Sequence, residues 1–188
     1  MNKGFNELWP TTAYLGDIDS AILEQVCQTI FTELDLEKPS NDFQQFDLLE
    51  DGSSVFQKFR DEVVWPAFAN YLMHLGIDIN EFPDRKLRSW VTGVYKGYMI
   101  PAHNHSGASI SAVFYLLCGE QNKGGELILL DSRVNANRGY KDQFKKLFEN
   151  NTYLPKSGEF LMFPSHVYHH TIPFTGSMRL AMPVDLFL

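Results

Sequence analysis

The sequence predicts an α+β fold, with a helical first part packed on one sheet of an antiparallel sandwich or jelly roll. Three observations predict it. Apolar residues in the first third recur at helical spacing, residues after Pro83 fall into short runs separated by Gly and Pro, and no GxGxxG, P-loop or strand–helix alternation argues for a parallel sheet. The chain reads as a single domain over 1–188, a helical portion over 1–83 leading into a sheet core over 84–188.

Asp17, Asp19 and Ser20 offer caps ahead of a helix over Ala21 to Leu34, where Ile22, Val26 and Ile30 form the apolar stripe and Leu23 and Cys27 widen it. Pro39 ends that helix. Ser53 and Ser54 open a second helix toward Gly76, with Val55, Phe56, Phe59 and Val63 on its apolar side. Pro66 lies inside this pattern and predicts a kink or two shorter helices, and Gly76 suits a C-terminal cap. Strands are expected over 87–96, 98–103, 108–117, 126–130, 159–163, 166–173 and 178–187. Residues 137–149 read as a polar helix or a long loop, and the segment Asp131–Glu149 as a solvated helix or a lid.

Composition bounds the function. The chain has 188 residues, of which 44% are hydrophobic and 21% charged, so it can bury a core without a disulfide. Its 16 basic and 23 acidic residues leave a net charge of −7 with no basic run, so no nucleic-acid partner is expected. Two cysteines, Cys27 and Cys118, make no CxxC and fit a reducing compartment. Residues 1–10 lack the apolar core of a secretory leader, and no apolar run is long enough to span a bilayer, so a cytoplasmic location and no membrane partner are expected. Aromatic residues on the helices leave a homodimer open.

Five of six histidines fall in two groups, His103/His105 and His166/His169/His170; His74 reads as an ordinary helix residue. Residues i and i+2 of an extended strand face the same way, so His103 and His105 can offer two imidazoles to one point, and one distant His would complete a facial set on Fe, Zn, Cu or Ni. An HxH pair alone also fits a surface loop, and 166–170 a solvated edge.

Around these histidines stand Tyr95-Lys96-Gly97, Ser109 to Leu116, Gly124-Gly125-Glu126-Leu127, Gly158 to Ser165 with Phe163-Pro164-Ser165, then Pro173 and Arg179. In order, spacing and residue type, residues 90–182 resemble the 2-oxoglutarate- and Fe(II)-dependent dioxygenases, in their prolyl-hydroxylase-like and putative-oxygenase branch. The resemblance implies a double-stranded β-helix (a cupin-like jelly roll), Fe(II), 2-oxoglutarate as co-substrate and O2. It places His103 as first metal ligand and His169, ten residues before Arg179, as the distal one, with His170 as the rival. Arg179 takes the position of the arginine that holds the far carboxylate of 2-oxoglutarate. Tyr115 and Tyr95 match positions whose phenols contact it, though either also suits an aromatic of the core.

One departure stands out: the family's second ligand is Asp or Glu, and here that position is His105. The expectation is that His105 itself ligates. The alternatives are that it points away and a halide or water fills the gap, or that Glu126 or Asp131 reaches in. The implied activity is hydroxylation of a small-molecule or peptide substrate, with oxidative decarboxylation of 2-oxoglutarate coupled to C–H oxidation and His103, His105, His169 and Arg179 as the catalytic set. Two other readings stand beside it: a three-His cupin-type oxygenase that needs no 2-oxoglutarate, and a non-enzymatic jelly-roll binding module.

Overall fold

The computed structural model describes residues 10–33, 47–119, 123–133 and 150–188. The segments 34–46 and 134–149, which hold the expected helix end at Pro39 and all of the polar stretch over 137–149, lie outside the described residues.

Helix α1 spans Ser20–Glu33. The Asp19 carboxylate caps it by accepting from the Ala21 and Ile22 amides, and Ile22, Val26 and Ile30 are the residues it buries. A short helix α2, Leu48–Asp51, follows; the sequence pattern did not predict it, because four residues show no periodicity. The expected long helix is continuous: α3 (Ser54–Phe59) passes through a π turn (Arg60–Val64) into α4 (Trp65–His74). Pro66 has no N–H to give to the preceding turn, and the widened π turn absorbs the mismatch where a kink was expected. Gly76, at φ +76°, closes α4, and the Ile77 amide donates back to the Leu72 carbonyl.

Among the described residues, nine strands form two antiparallel sheets. The larger runs β1 (Tyr14–Asp17), β7 (Glu159–Pro164), β4 (Ile110–Leu117), β9 (Met178–Phe187) and β2 (Lys86–Ser89), with β3 (Thr92–Tyr95) also paired to β9. The smaller runs β6 (Asn151–Tyr153), β5 (Leu127–Leu129), β8 (His169–Thr171).

Several strand expectations are corrected. The predicted strand 87–96 breaks into β2 and β3 opposite Pro183, which cannot donate to the ladder, although its carbonyl still accepts from Trp90. Residues 98–103 are extended beside β8 but irregular, because the Thr171 hydroxyl, rather than a main-chain carbonyl, accepts from the Ile100 amide. The run 166–173 shortens to three residues after a tight turn. Strands β1 and β6 were unforeseen, being too short to show alternation.

The six-stranded sheet is buried on both faces. Ile110, Ala112, Phe114 and Leu116 of β4 face the helices, where Phe114 meets Phe59 edge-on at 5.3 Å. Val113 and Tyr115 face the other way and pack with Leu161, Phe163, Ala181 and Leu127 of the opposing sheet. Each large side chain buried here stabilises the fold by roughly 1.5–3 kcal/mol. The strand period of two therefore assigns one set of residues to the helices and the alternate set to the space between the sheets.

Candidate metal and carboxylate site

His103 and His169 face each other across an antiparallel bridge, each amide donating to the other's carbonyl at 3.0 and 2.9 Å. The bridge brings two segments far apart in sequence into contact and sets their rings 4.3 Å apart, tilted by 54°. Two residues on, the His105 amide donates to the Ser165 carbonyl, and its ring lies 5.1 Å from each of the other two. One ring nitrogen from each histidine lies within 4.8 Å of the other two, and His103 Nε2 and His105 Nε2 are 3.2 Å apart.

The opposite edge of every ring is committed. His103 Nδ1 contacts the Pro101 carbonyl at 2.8 Å, His169 Nδ1 the Val167 carbonyl at 3.0 Å, and His105 Nδ1 the Asp185 carboxylate at 2.6 Å. Carbonyls and carboxylates only accept, so each Nδ1 carries the hydrogen and each Nε2 lone pair is left facing its neighbours. Three converging lone pairs with no donor between them fit a cation, and this set could hold Fe(II) or another N-preferring divalent metal.

Burial favours the neutral form of His103 and His169. It pushes His103 below the usual imidazole value and His169 down to about 4, with the neighbouring imidazoles adding to the depression and the carbonyl contacts opposing it. An unfolded ring titrates near 6.5, so between 6.5 and about 4 the unfolded chain binds the proton that folded His169 refuses. Stability of the metal-free protein should therefore fall as pH drops through that window, by on the order of 3 kcal/mol from His169 alone. Thermal melts of chelator-treated protein at pH 7.5 and pH 5 check this; a flat melting temperature would refute it.

The three histidines line a cavity of about 200 Å³ whose walls include Val113, Tyr115, Leu127 and Ala181, with Trp90 and Tyr98 also lining it. Arg179 lies at the same cavity, 4% exposed. It donates to the Gly125 carbonyl and stacks over the Phe174 ring at 5.3 Å. Among the described residues no carboxylate pairs with it; Glu126 acts on it only through space, and the Glu126 Oε2 is buried without a hydrogen-bond partner. A buried guanidinium with one carbonyl and a ring for company is costly alone and suits an incoming carboxylate. Burial pushes its pKa down and that of the adjacent Tyr115 phenol up, so Tyr115 stays a neutral hydroxyl.

Gly125 makes this placement feasible. Its φ is +77°, and a Cβ there would sit 2.6 Å from both terminal nitrogens of Arg179. Gly125→Ala should destabilise the fold by about 1–3 kcal/mol and displace the guanidinium. Urea unfolding together with 2-oxoglutarate titration checks both; unchanged binding would show that Arg179 has room to move.

The structure does not bring every expected residue to the cavity. Tyr95 packs with the helix-side core, while its neighbour Val94 and the unforeseen Tyr98 line the cavity. The parity of β3 decides this, because Val94 and Tyr95 face opposite sides. His170 lines the cavity but lies outside the imidazole cluster, and His166 is exposed. Of the alternative carboxylates, Asp131 is engaged by Arg133 at 2.6 Å and Glu126 stands with Arg179. The carboxylate that does reach the histidines is Asp185, which the sequence reading missed. Its signal was a lone acid in the apolar run Pro183 to Phe187, at an even spacing from Arg179 on the same face of β9.

A family model described as "Putative 2OG-Fe(II) oxygenase" matches residues 88–185, just over half of the chain. Among solved structures, the chain is similar to a Pseudomonas putida prolyl-4-hydroxylase (TM-score 0.62, 17% identity, covering 92% of this chain and 85% of that one). It is also similar to the viral collagen prolyl hydroxylase of Paramecium Bursaria Chlorella virus-1 in its 2OG complex (0.63, 15%, 93% and 94%). HygX from Streptomyces hygroscopicus, solved with nickel and 2-oxoglutarate bound, matches at 0.61 and 14% identity over 94% of this chain and 82% of that one. At these identities the likeness is one of fold. No match was found among curated proteins.

Proposed function

Because this chain belongs to the 2OG-Fe(II) oxygenase family, and so to the iron- and 2-oxoglutarate-dependent oxidoreductases, we propose that it is a hydroxylase working at the cavity between its two sheets. In this reading the sheets form a double-stranded β-helix within one domain, and the helices of 1–83 brace its outer face. His103, His105 and His169 hold Fe(II), and Arg179 receives the far carboxylate of 2-oxoglutarate. The observation that carries the reading is the pairing, in one cavity, of three converging imidazoles with a buried guanidinium that has no carboxylate partner among the described residues.

His103, His105 and His169 would hold the iron, which would supply the redox chemistry that couples oxidative decarboxylation of 2-oxoglutarate by O2, giving succinate and carbon dioxide, to hydroxylation of a substrate C–H bond. The chain's own residues do the positioning. The Arg179 fork binds a carboxylate through two parallel N–H bonds, with the Tyr115 hydroxyl as an adjacent neutral donor. Val113, Leu127 and Ala181 give the same cavity a hydrocarbon lining, which keeps water from it. The three Nδ1 contacts hold the rings so that metal binding needs no reorientation. Trp90, Tyr98 and Ile100 give the cavity an apolar wall, which suits an uncharged part of a small molecule or peptide. No helix among the described residues is long and apolar enough to cross a membrane.

A three-His oxygenase without 2-oxoglutarate has no use for Arg179 at this place, which favours the first reading. The test is succinate formed from 2-oxoglutarate by the full chain with Fe(II) under air, together with 2-oxoglutarate binding to the metal-loaded protein. Absence of both would overturn the proposal.

A further inference from the structure

Asp185 is buried and makes two short contacts through one oxygen. Its Oδ1 lies 2.6 Å from His105 Nδ1 and 2.6 Å from the Ser111 hydroxyl that donates to it. Ser111 is fully buried and Asp185 is 5% exposed. The two residues are direct register partners on β4 and β9, on the face that carries Val113 and Ala181, so the contact is built into the sheet. Among the described residues no Lys or Arg pairs with Asp185; its one ion-pair contact is His105.

Three histidines orient toward one point, but they are not supported alike. His103 and His169 rest on main-chain carbonyls, whereas His105 alone rests on a carboxylate. Three neutral imidazoles would bring no negative charge to a divalent cation. A carboxylate hydrogen-bonded to the far nitrogen of one imidazole draws its N–H proton, enriches the facing lone pair and returns negative charge one residue out from the metal. A buried carboxylate without a cation is costly, and a hydroxyl or amide would satisfy Ser111 and orient the ring at less cost. The charge makes sense when a cation sits on the other side of His105.

We infer that Asp185 is a positioning residue that acts through His105. It fixes that ring in its Nδ1–H form and supplies, from behind it, the negative charge that the position of His105 itself does not carry. The inference rests on the proposed metal site. Ser111 in turn holds the carboxylate in place.

The test uses the full chain with Co(II) as the probe metal. Wild type loaded with Co(II) in water should show three exchangeable, paramagnetically shifted imidazole N–H proton signals. In Asp185→Asn the His105 signal should move or vanish while the other two stay, and Co(II) affinity should fall by about 10–100-fold. Ser111→Ala, which keeps the His105–Asp185 contact, should move the same signal with a smaller loss of affinity. If Asp185→Asn does not fold, nitrogen-15 correlation of the metal-free wild type still decides: His105 should be in the Nδ1–H form with its N–H further downfield than those of His103 and His169. Wild-type binding with all three signals and the affinity unchanged in Asp185→Asn overturns this inference alone. Two imidazole signals in wild type would also overturn it, since His105 would then be no ligand. No Co(II) binding at all would overturn both it and the reading it rests on.

Discussion

Arg179→Met should cost the protein its 2-oxoglutarate binding while leaving the metal-free fold as stable as wild type, or more stable. The guanidinium is 4% exposed, has no carboxylate partner among the described residues, and donates to the single Gly125 carbonyl. Methionine fills similar volume and can keep the contact with the Phe174 ring without the cost of a buried charge. Losing one side of a buried, hydrogen-bonded charge pair costs about 2–5 kcal/mol, so affinity for 2-oxoglutarate should fall by about 30-fold at the least. Arg179→Lys should recover little, since an ammonium cannot make the two parallel bonds. Calorimetric titration of the metal-loaded protein and urea unfolding of the metal-free protein read the two effects separately. A variant that still binds 2-oxoglutarate but unfolds more easily would make Arg179 a structural residue and remove the main support for a co-substrate site.

His169→Ala should lose the metal and His170→Ala should retain it. The two are chain neighbours on β8, so they point to opposite sides of the strand. The His169 ring lies 4.3 Å from that of His103 with its Nδ1 held by Val167, whereas His170 stands across from Ile128 on β5 and takes no part in the cluster. Removing one of three converging nitrogens should weaken Fe(II) or Co(II) binding by more than the 10–100-fold typical of an outer partner, and His170→Ala should change it only a few-fold. Metal content after gel filtration separates the outcomes. Retention by His169→Ala and loss by His170→Ala would place the wrong neighbour at the site. Even a folded His170→Ala could affect turnover, because that residue borders the cavity, so metal content and not activity is the deciding measurement.

Much of this site was legible because strand parity and residue spacing are local. The HxH pair at 103 and 105 announces two imidazoles on one side of an extended segment, and the bridge from His103 to His169 supplies the third. Arg179 is conspicuous as a cation within an apolar run, and the stripe Ile22, Val26, Ile30 fixed the buried face of α1. The same reasoning, applied to the C-terminal end of β9, would have singled out Asp185; without coordinates it had no visible partner, since His105 lies 80 residues earlier. Tyr95, for which a place in the core was the stated alternative, is the complementary case. Its residue type suited the cavity, but the face it occupies belongs to the helix-side core. The π turn before Pro66 and the break of the first predicted strand opposite Pro183 have sequence causes, yet their form depends on which backbone groups a neighbouring strand or turn can satisfy.

From the order of its residues alone, the chain determined its longer helices, most of its strands, which side chains share a side of each strand, and the spacing of a set of histidines and one arginine that points to the proposed metal and carboxylate site. Only the tertiary structure decided which of the two sides of each strand faces the cavity, and that Asp185 rather than Glu126 or Asp131 meets the histidines. Alternation is a property of the backbone and can be read along the chain, whereas the choice between its two faces is made by what packs against the sheet: once the helices cover one face of β3, β4, β7 and β9, the alternate residues are left to line the space where the chemistry is proposed.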